Sequence, residues 1–157
     1  MNAGRGRKYN MTVFDFLETI SYVEGENVVT VPADSIERHH RWTQFTGVKE
    51  RLIVSAVFRF SPGNYEGNPI ADRLAYAKKK QDLSGPNCGS VFKECHGGLQ
   101  GRLRGLRLGA ARFSPKTSDW IVNRGESPRS IWALILTSKI LHRLLGKKAV
   151  LELIEVS

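Results

Sequence analysis

The sequence predicts an α+β fold made of two lobes. Its first third is rich in β-branched and aromatic residues, a run of turn-forming residues follows at 61–69, and helical and strand patterns alternate after that run. A chain of 157 residues that is 41% hydrophobic and 25% charged can bury a core for one domain or two small lobes. We therefore predict a β-rich lobe over residues 1–62, a small α/β lobe over residues 68–148 and a terminal strand segment over residues 149–157.

The first lobe is predicted to contain a β-hairpin and one further strand. The segments "VFDFLETISYV" and "NVVTVPA" flank the turn signal Glu24–Gly25, which favours a hairpin. The segment "RLIVSAVFRF" at 51–60 first alternates and then becomes apolar, which is typical of a strand packed on at least one face. Glycine and proline recur in "SPGNYEGNP" at 61–69, so we interpret that segment as a linker.

The second lobe is predicted to begin with a helix. Asn68 and Pro69 suit the N-cap and the first helical position, and the helix is expected to end near Gln81. Its predicted apolar face consists of Ile70, Leu74 and Ala77. Glycines interrupt the segment 101–115, which predicts a short helical turn followed by a strand, and "DWIVNRG" at 119–125 predicts another short strand.

A long helix before the terminal segment is the clearest element. Ser127 suits its N-cap, Pro128 its first position, and Gly146 the C′ position just beyond its end. The apolar side of this helix is predicted to comprise Ile131, Leu134, Ile135, Ile140, Leu141, Leu144 and Leu145. The alternating segment "AVLELIEVS" predicts a strand over residues 149–156.

The basic composition limits the kinds of partner. A formal net charge of +9 indicates an anionic partner or a solvated basic surface. The basic residues are dispersed, so small phosphorylated ligands and nucleic acid both stay open, and any nucleic-acid binding is expected to be weak and nonspecific. No apolar run is long enough for a bilayer, and no apolar core follows the basic residues near Met1, so neither a membrane partner nor a signal peptide is predicted. The two cysteines are interpreted as free thiols of a cytoplasmic protein.

The stretch "GPNCGSVFKECHGG" at 85–98 suggests two kinds of site. Cys88, Cys95 and His96 are candidate metal or redox residues, but no second Cys/His pair with zinc-like spacing follows, so no metal site is predicted. The alternative is a turn that exposes the hydroxyl of Ser90 beside Lys93, since "PNCG" is turn chemistry and glycine permits unusual backbone angles.

A family resemblance favours the serine turn. The segments "PNCGSVFKE", "GLRLGAARFSPKTSDWIVNRGESPRSIWALI" and "AVLELIEV" resemble, in order, the C-terminal half of the UDP-N-acetylenolpyruvoylglucosamine reductase family. In the first lobe, "MNAG" with Gly6 resembles the family's Asn-Ala-Gly-x-x-Gly segment, and "HRWT" at 40–43 resembles its aromatic–Arg–x–Ser motif. These flavoenzymes reduce an enolpyruvyl group to make UDP-N-acetylmuramate for peptidoglycan.

The resemblance implies a set of functional residues. Ser90 would donate a proton to the substrate carbon, while Arg41 and Glu155 would polarise the enolpyruvyl group and stabilise the enol-like intermediate. The implied cofactor is FAD, with NADPH as hydride donor, and the implied flavin-binding residues are Asn2, Ala3 and Gly4. The implied substrate is UDP-N-acetylglucosamine enolpyruvate, with Lys93 and Asn123 as its binding residues.

The resemblance also assigns roles to the lobes. Residues 1–62 would be the C-terminal part of an FAD-binding lobe, residues 68–148 a substrate-binding lobe, and residues 149–157 a strand returning to the active site. The family's Gly-rich pyrophosphate loop precedes its Asn-Ala-Gly segment, so a separate N-terminal flavin-binding fragment is an expected partner. A flavin-free UDP-sugar binding module and a small basic nucleic-acid-binding protein are the alternative functions.

Overall fold

The computed structural model describes residues 5–6, 11–64 and 66–153, and its mixture of helices and antiparallel strands confirms the predicted α+β class. The chain divides into two compact units, Met1–Asn64 and Tyr65–Ser157. Each unit has its own cluster of buried apolar side chains. The division falls within the segment 61–69, where the sequence predicts a linker.

The first unit is built mainly from strands. Its described elements are β1 (Arg5–Gly6), β2 (Met11–Thr12), β3 (Leu17–Glu24), β4 (Asn27–Pro32), β5 (Arg38–His39), β6 (Trp42–Thr43), β7 (Arg51–Phe58) and the 3-10 helices Val13–Asp15 and Ala33–Ser35. A three-stranded antiparallel sheet in the order β4–β3–β7 forms its centre. The predicted hairpin is confirmed, because Glu24 pairs with Asn27 and Gly25 takes a φ of +62° in the turn.

One face of this sheet carries the core of the first unit. That core comprises Phe14, Leu17, Ile20, Tyr22, Ile36 and Phe45. In β7 the side chains of Ile53, Ala56 and Phe58 pack against the core, which confirms a strand packed on one face. The other face of β7 stays open, since Leu52, Val54 and Val57 are exposed.

The second unit combines three helices with short strands in its described part. Its elements are α1 (Pro69–Lys80), β8 (Asn87–Ser90), β9 (Phe92–Cys95), α2 (Gly97–Arg102), β10 (Arg107–Leu108), β11 (Ala111–Phe113), β12 (Trp120–Asn123), α3 (Arg129–Leu144) and β13 (Ala149–Leu151). One antiparallel sheet has the order β10–β11–β12–β8, and β13 pairs antiparallel with β9. Helix α3 packs against strands β10 to β13, and the core between them comprises Val91, Phe92, Ala111, Phe113, Ile121, Leu134 and Ile135.

Helix α1 begins and ends where the sequence predicts. The side chain of Asn68 accepts a hydrogen bond from the Ala71 N–H at 3.0 Å, Pro69 occupies the first position, and Gln81 is the C-cap. The predicted apolar face, however, is not buried: Ile70 is 73% and Leu74 57% exposed, and only Ala77 is partly covered. Capping signals are local and fix the helix ends, whereas burial of a face depends on a packing partner.

Helix α3 differs at its start from the prediction. Pro128 occupies the N-cap position, and Ser127 lies one residue earlier, where its hydroxyl accepts a hydrogen bond from the Arg129 N–H at 3.3 Å. The predicted end is confirmed, because Gly146 has a φ of +63°. Its N–H donates to the Arg143 carbonyl at 3.1 Å, and the Lys147 N–H donates to the His142 carbonyl at 2.8 Å. These two bonds form a Schellman motif.

The buried side of α3 also corrects the prediction. Leu134 and Ile135 are buried as expected, but Ile140, Leu144 and Leu145 are 49%, 77% and 52% exposed. Their expected place is taken by Ser138 and His142, which are fully buried. A side chain of α2, Gln100, provides the reason: the Ser138 hydroxyl donates to Gln100 Oε1 at 2.7 Å, so the polar groups are paired inside.

Histidine 142 completes this buried network. Its Nδ1 lies 2.8 Å from the carbonyl of Ser138, and its Nε2 accepts a hydrogen bond from the His96 N–H at 3.2 Å. The side-chain amide of Gln100 donates in turn to the Ser118 carbonyl at 2.8 Å. The network therefore joins α3 to the N-cap and the interior of α2 and to the segment before β12.

The terminal strand is shorter than predicted. β13 ends at Leu151, and Glu152 and Leu153 follow without strand structure. Residues 154–157 lie outside the described residues, so the remainder of the predicted strand stays a prediction. No helix in the part of the chain that the structure describes is long and apolar enough to cross a membrane.

Candidate functional site

The serine turn consists of the end of β8, Val91 and the start of β9. Gly89 has a φ of +65°, and a Cβ built there would meet nothing within 4 Å, so glycine serves the backbone conformation rather than a lack of space. The side chain of Asn87 accepts a hydrogen bond from the Gly89 N–H at 3.1 Å. Ser90 pairs with Trp120 of β12 next to a β-bulge and remains exposed. The turn therefore presents the Ser90 hydroxyl to solvent.

One residue holds the two peptide groups that follow Ser90. The Val91 N–H donates to the Asp119 carbonyl at 2.9 Å, and the Phe92 N–H donates to Asp119 Oδ1 at 3.0 Å. Val91 and Phe92 are both buried in the core of the second unit. Asp119 thus fixes the backbone beyond the exposed serine, a role that our sequence analysis did not identify.

The Asp119 carboxyl has an unusual acidity. Burial raises its pKa from the ordinary 3.8 to about 6. The N–H groups of Phe92 and Val91 oppose this increase because they stabilise the carboxylate, and the negative charge of Glu152 adds to it. Asp119 therefore changes charge in a mildly acidic range, directly beside the serine turn.

The C-terminal segment runs alongside the same turn. β13 pairs with β9 in the register Val150 to Glu94, and the Glu152 N–H then donates to the Val91 carbonyl at 2.9 Å. The chain at residue 152 is thus hydrogen-bonded to the residue immediately after Ser90. Glu155, the predicted catalytic carboxylate, lies outside the described residues, and its place near Ser90 stays a prediction.

The two predicted substrate-binding residues of the second unit occupy different surroundings. Lys93 is exposed on β9, three residues after the serine. The side-chain amide of Asn123 donates to the Gly125 carbonyl at 2.9 Å and to the Ser127 carbonyl at 3.2 Å, which stabilises the turn before α3. Asn123 lies three residues beyond the residue that pairs with Ser90, about 10 Å along β12. Both substrate-binding roles stay predictions.

Arg41, the predicted catalytic arginine, occupies a strained position in the first unit. It lies in the two-residue connection between β5 and β6, and its φ is +56°, a region that side-chain-bearing residues rarely adopt. No other described residue except glycine has a positive φ. Strained backbone conformations of this kind persist only where the surrounding structure holds them in place, and they are concentrated at functional sites.

Hydrogen bonds between residues close in sequence join the two ends of the β5–β6 hairpin that contains Arg41. The Glu37 N–H donates to the side-chain carbonyl of Gln44 at 3.0 Å, and the Gln44 N–H donates to the Glu37 carbonyl at 3.1 Å. Thr43, whose hydroxyl position matches the serine of the family motif, is buried, and its hydroxyl accepts a long bond of 3.4 Å from the Phe45 N–H. The threonine therefore stabilises the segment that follows the hairpin.

The predicted flavin-binding residues Asn2, Ala3 and Gly4 lie outside the described residues, so their role stays a prediction. The nearby Gly6 is described and belongs to β1, which pairs with β2.

The cysteines and His96 have ordinary surroundings. Burial raises the pKa of the thiols of Cys88 and Cys95, which makes both less reactive. The ring of His96 accepts a hydrogen bond from the Leu99 N–H at 3.3 Å and so caps α2. Within the described residues, no group of three or more His, Cys, Asp and Glu side chains could hold a metal ion.

A cleft of about 440 Å³ near the end of α1 contains none of the predicted site residues. Asp82, one of the residues that line the cleft, is buried, and hydrogen bonding from Ser84 is the main cause that lowers the pKa of its carboxyl. Arg112 lies 3.8 Å from the same carboxylate and Lys116 lines the cleft. The lining thus carries three cationic side chains, Lys78, Arg112 and Lys116, against the one carboxylate of Asp82, and we assign the cleft no ligand.

Several known proteins to which this chain is similar share one name. Proteins named UDP-N-acetylenolpyruvoylglucosamine reductase from Pseudothermotoga lettingae and Syntrophotalea carbinolica are 30% and 34% identical to this chain over 152 and 135 residues. These matches cover 91% and 80% of this chain but only 52% and 43% of the relatives. A relative with the same name from Chlamydia felis is 29% identical over 133 residues. No protein-family model matches the chain.

A solved structure shares the fold. The crystal structure of UDP-N-acetylenolpyruvylglucosamine reductase (MurB) from Thermus caldophilus superposes with a TM-score of 0.66 at 17% identity, over 90% of this chain and 53% of that one. The chain thus spans about half the length of the curated relatives it matches. Sequence and fold together show that it is a partial-length member of the UDP-N-acetylenolpyruvoylglucosamine reductase family.

Proposed function

We propose that this chain contributes the proton-donating half of an FAD-dependent enolpyruvyl reductase acting on UDP-N-acetylglucosamine enolpyruvate, a reaction of peptidoglycan precursor synthesis in the cytoplasm. The observation that carries the proposal is the serine turn. An exposed hydroxyl stands on a backbone whose next two N–H groups are bonded to Asp119. FAD, when bound, supplies the hydride that NADPH has delivered to it.

Ser90 is the proton donor in this proposal. A serine hydroxyl is a very weak acid, so it can protonate only a strongly basic, carbanion-like carbon. Reduction of an enolpyruvyl group at one carbon produces such a centre at the neighbouring carbon. The fixed backbone of the turn supports this role, because proton transfer requires the donor and the acceptor atom to be held within hydrogen-bond reach.

The charged residues are assigned to the anionic parts of the substrate. The guanidinium of Arg41 suits the enolpyruvyl carboxylate, because its planar N–H groups match both carboxylate oxygens. Glu155 is assigned to the same group, and Lys93 and Asn123 to the UDP portion. The exposure of Lys93 supports its part of the assignment, since a diphosphate can reach it.

The flavin is assigned to the first unit, with Asn2, Ala3 and Gly4 as its ligands. Because the chain spans about half the length of its relatives, the proposal includes a separate N-terminal flavin-binding fragment as partner. Backbone N–H groups of a glycine-rich loop in that fragment would bind the diphosphate of FAD.

The absorbance spectrum of the purified protein, alone and after addition of such a fragment, is the first test. Flavin bands at near-stoichiometric occupancy support the proposal. A colourless protein that still binds the UDP substrate in calorimetry would favour the flavin-free UDP-sugar binding module instead.

Replacing the serine tests the chemistry. In the flavin-loaded protein, Ser90→Ala should slow substrate reduction by roughly 10²–10⁴ and leave flavin reduction by NADPH unchanged, because only the first process needs the proton donor. Equal loss of both half-reactions would contradict the assignment of Ser90. Thr117→Ala, which removes another hydroxyl of the second unit, is the matched control and should leave both rates nearly unchanged.

A further inference from the structure

Helix α3 has a second apolar side that faces away from the core. Trp132, Leu136, Ile140 and Leu144 follow one another at intervals of four residues, and they are 38%, 58%, 49% and 77% exposed. We call these four residues the α3 ridge. Four exposed large apolar side chains in one row form a contiguous patch, and such patches mark interaction sites more often than scattered residues do.

Within helix α3, the charged residues beside the ridge are all basic. Arg129, Lys139 and Arg143 are exposed, and at about 100° per residue they lie on the same half of the helix as the ridge. None of the three forms an ion pair with a residue that the structure describes. The sequence contains no aspartate or glutamate between residues 127 and 151. A binding partner for this surface must therefore be both apolar and acidic.

The geometry of the ridge determines the shape of the partner. Each step of four residues turns about 40° around the helix axis, so Trp132 and Leu144 point about 120° apart. Rows of residues spaced by four are the ridges that fit into the grooves of a second helix crossing at about −50°, so the row has the geometry of a helix-packing surface.

A second copy of this chain is a poor occupant, because two such surfaces would bring like charges together. We propose that the α3 ridge binds an acidic amphipathic α-helix of another protein. The apolar side of that helix packs against the four ridge residues, and its carboxylates pair with Arg129, Lys139 and Arg143. The ridge extends over about 18 Å, which matches a partner helix of three to four turns. This interaction is independent of the proposed reductase activity.

A pair of synthetic peptides provides the test on the full chain. Both are fluorescein-labelled 18-residue helix formers with leucine at every fourth position; one has glutamate and the other lysine at the flanking positions. Fluorescence anisotropy should show that the glutamate peptide binds at least about tenfold more tightly than the lysine peptide, with an affinity that falls as salt is added. Equal binding of the two peptides, or binding of neither, would overturn the proposal.

Two variants test whether the glutamate peptide binds at the α3 ridge. Leu136→Glu should weaken binding of the glutamate peptide at least about tenfold, and so should the double change Lys139→Glu with Arg143→Glu. Leu83→Glu is the matched control, because Leu83 is as exposed as Leu136 at 58% but lies outside α3. All these side chains are exposed, so circular dichroism should show an unchanged fold. Equal weakening by Leu83→Glu would contradict the proposed site.

Two further measurements distinguish the other occupants. Cosedimentation with vesicles of phosphatidylglycerol and phosphatidylcholine that Leu136→Glu abolishes, without peptide binding, would overturn the proposal in favour of a membrane surface. Self-association in analytical ultracentrifugation that the same variant abolishes would overturn it in favour of a second copy.

Discussion

The two turns that carry the predicted catalytic residues differ in where their backbone strain lies. In the first unit Arg41 itself has a φ of +56°, whereas in the second unit Gly89 takes the positive φ of +65° and Ser90 follows it. Their supports differ as well. The hairpin that contains Arg41 is held by hydrogen bonds between two residues close in sequence, Glu37 and Gln44. The serine turn is held by Asp119, which bonds to Phe92 across 27 residues.

This difference separates two ways of fixing a functional side chain. Where the side-chain-bearing residue is strained, relieving the strain removes the functional group, so stability and function oppose each other at Arg41. Where a neighbouring glycine adopts the conformation, the functional residue is free of strain, and the glycine becomes the sensitive position. The four predictions below test this contrast.

The largest expected effect is at Gly89. Gly89→Ala should lower the free energy of unfolding by about 1–2 kcal/mol, because alanine is disfavoured at positive φ although the site has room for its Cβ. Gly101→Ala, inside α2 and equally free of contacts, should instead raise it by up to about 1 kcal/mol. Urea unfolding followed by tryptophan fluorescence measures both. Similar values for the two variants would show that backbone conformation is not what Gly89 provides.

The second effect concerns pH and the support of the serine turn. The folded state holds the Asp119 proton more tightly than the unfolded chain does, since the pKa of its carboxyl is about 6 instead of 3.8. The free energy of unfolding should therefore decrease as pH rises from about 4 to 6 and level off above 6. With allowance for partial exposure of the carboxyl, the decrease is about 1–2 kcal/mol.

Asp119→Asn should remove this pH dependence. The asparagine side-chain carbonyl can still accept a hydrogen bond from the Phe92 N–H but carries no charge. The free energy of unfolding of the variant should therefore exceed that of the unsubstituted chain by about 1 kcal/mol at pH 7 and equal it at pH 4. Glu126→Gln, a change at an exposed carboxylate, is the control and should keep the dependence. Glu152 and Cys95 are the titratable groups whose charges couple to Asp119. If the pH dependence persisted in Asp119→Asn and disappeared in Glu152→Gln, its source would be Glu152 and not Asp119.

The third effect isolates the strain at Arg41. Arg41→Gly and Arg41→Ala both remove the guanidinium, but only glycine adopts a φ of +56° without cost. The glycine variant should therefore be more stable than the alanine variant by about 1 kcal/mol. Thermal unfolding by circular dichroism provides the comparison, and both variants should lose substrate reduction in the flavin-loaded protein. An alanine variant as stable as the glycine variant would mean that the hairpin relaxes and stores no strain.

The smallest effect is expected for Ser90→Ala. The serine is exposed, and its hydroxyl makes no hydrogen bond within the part of the chain that the structure describes, so the free energy of unfolding should change by less than about 0.5 kcal/mol. The same urea titration measures it. A loss above 1 kcal/mol would indicate that the hydroxyl supports the turn, and the kinetic effect of this substitution would then have a structural cause.

Local signals account for most of what the sequence predicts correctly. The cap at Asn68, the hairpin at Glu24–Gly25 and the helix end at Gly146 each depend on the backbone preference of a few adjacent residues. Within the serine turn, the bond between Asn87 and Gly89 belongs to the same class, since it acts within three residues, whereas the support from Asp119 does not. Such features can be identified without knowledge of the remaining fold.

Long-range contacts account for what the sequence did not reveal. Ser138 bonds to Gln100 across 38 residues, and this pairing lets polar side chains occupy the buried side of α3. Hydrophobic periodicity cannot indicate this, because α3 carries apolar residues on two sides and only the packing partner determines which side is buried. The role of Asp119 was missed for the same reason: its partner Phe92 is remote in sequence.

The Schellman motif at Gly146 has a consequence for insertions and deletions. It ends α3 at a fixed point, and two lysines then lead into β13, whose side chains alternate between the two faces of the β13–β9 pair. Adding or removing one residue in this connection would move every side chain of β13 to the opposite face, and a residue other than Glu152 would offer its N–H to Val91. The identity of Lys147 and Lys148 can therefore vary, whereas their number cannot.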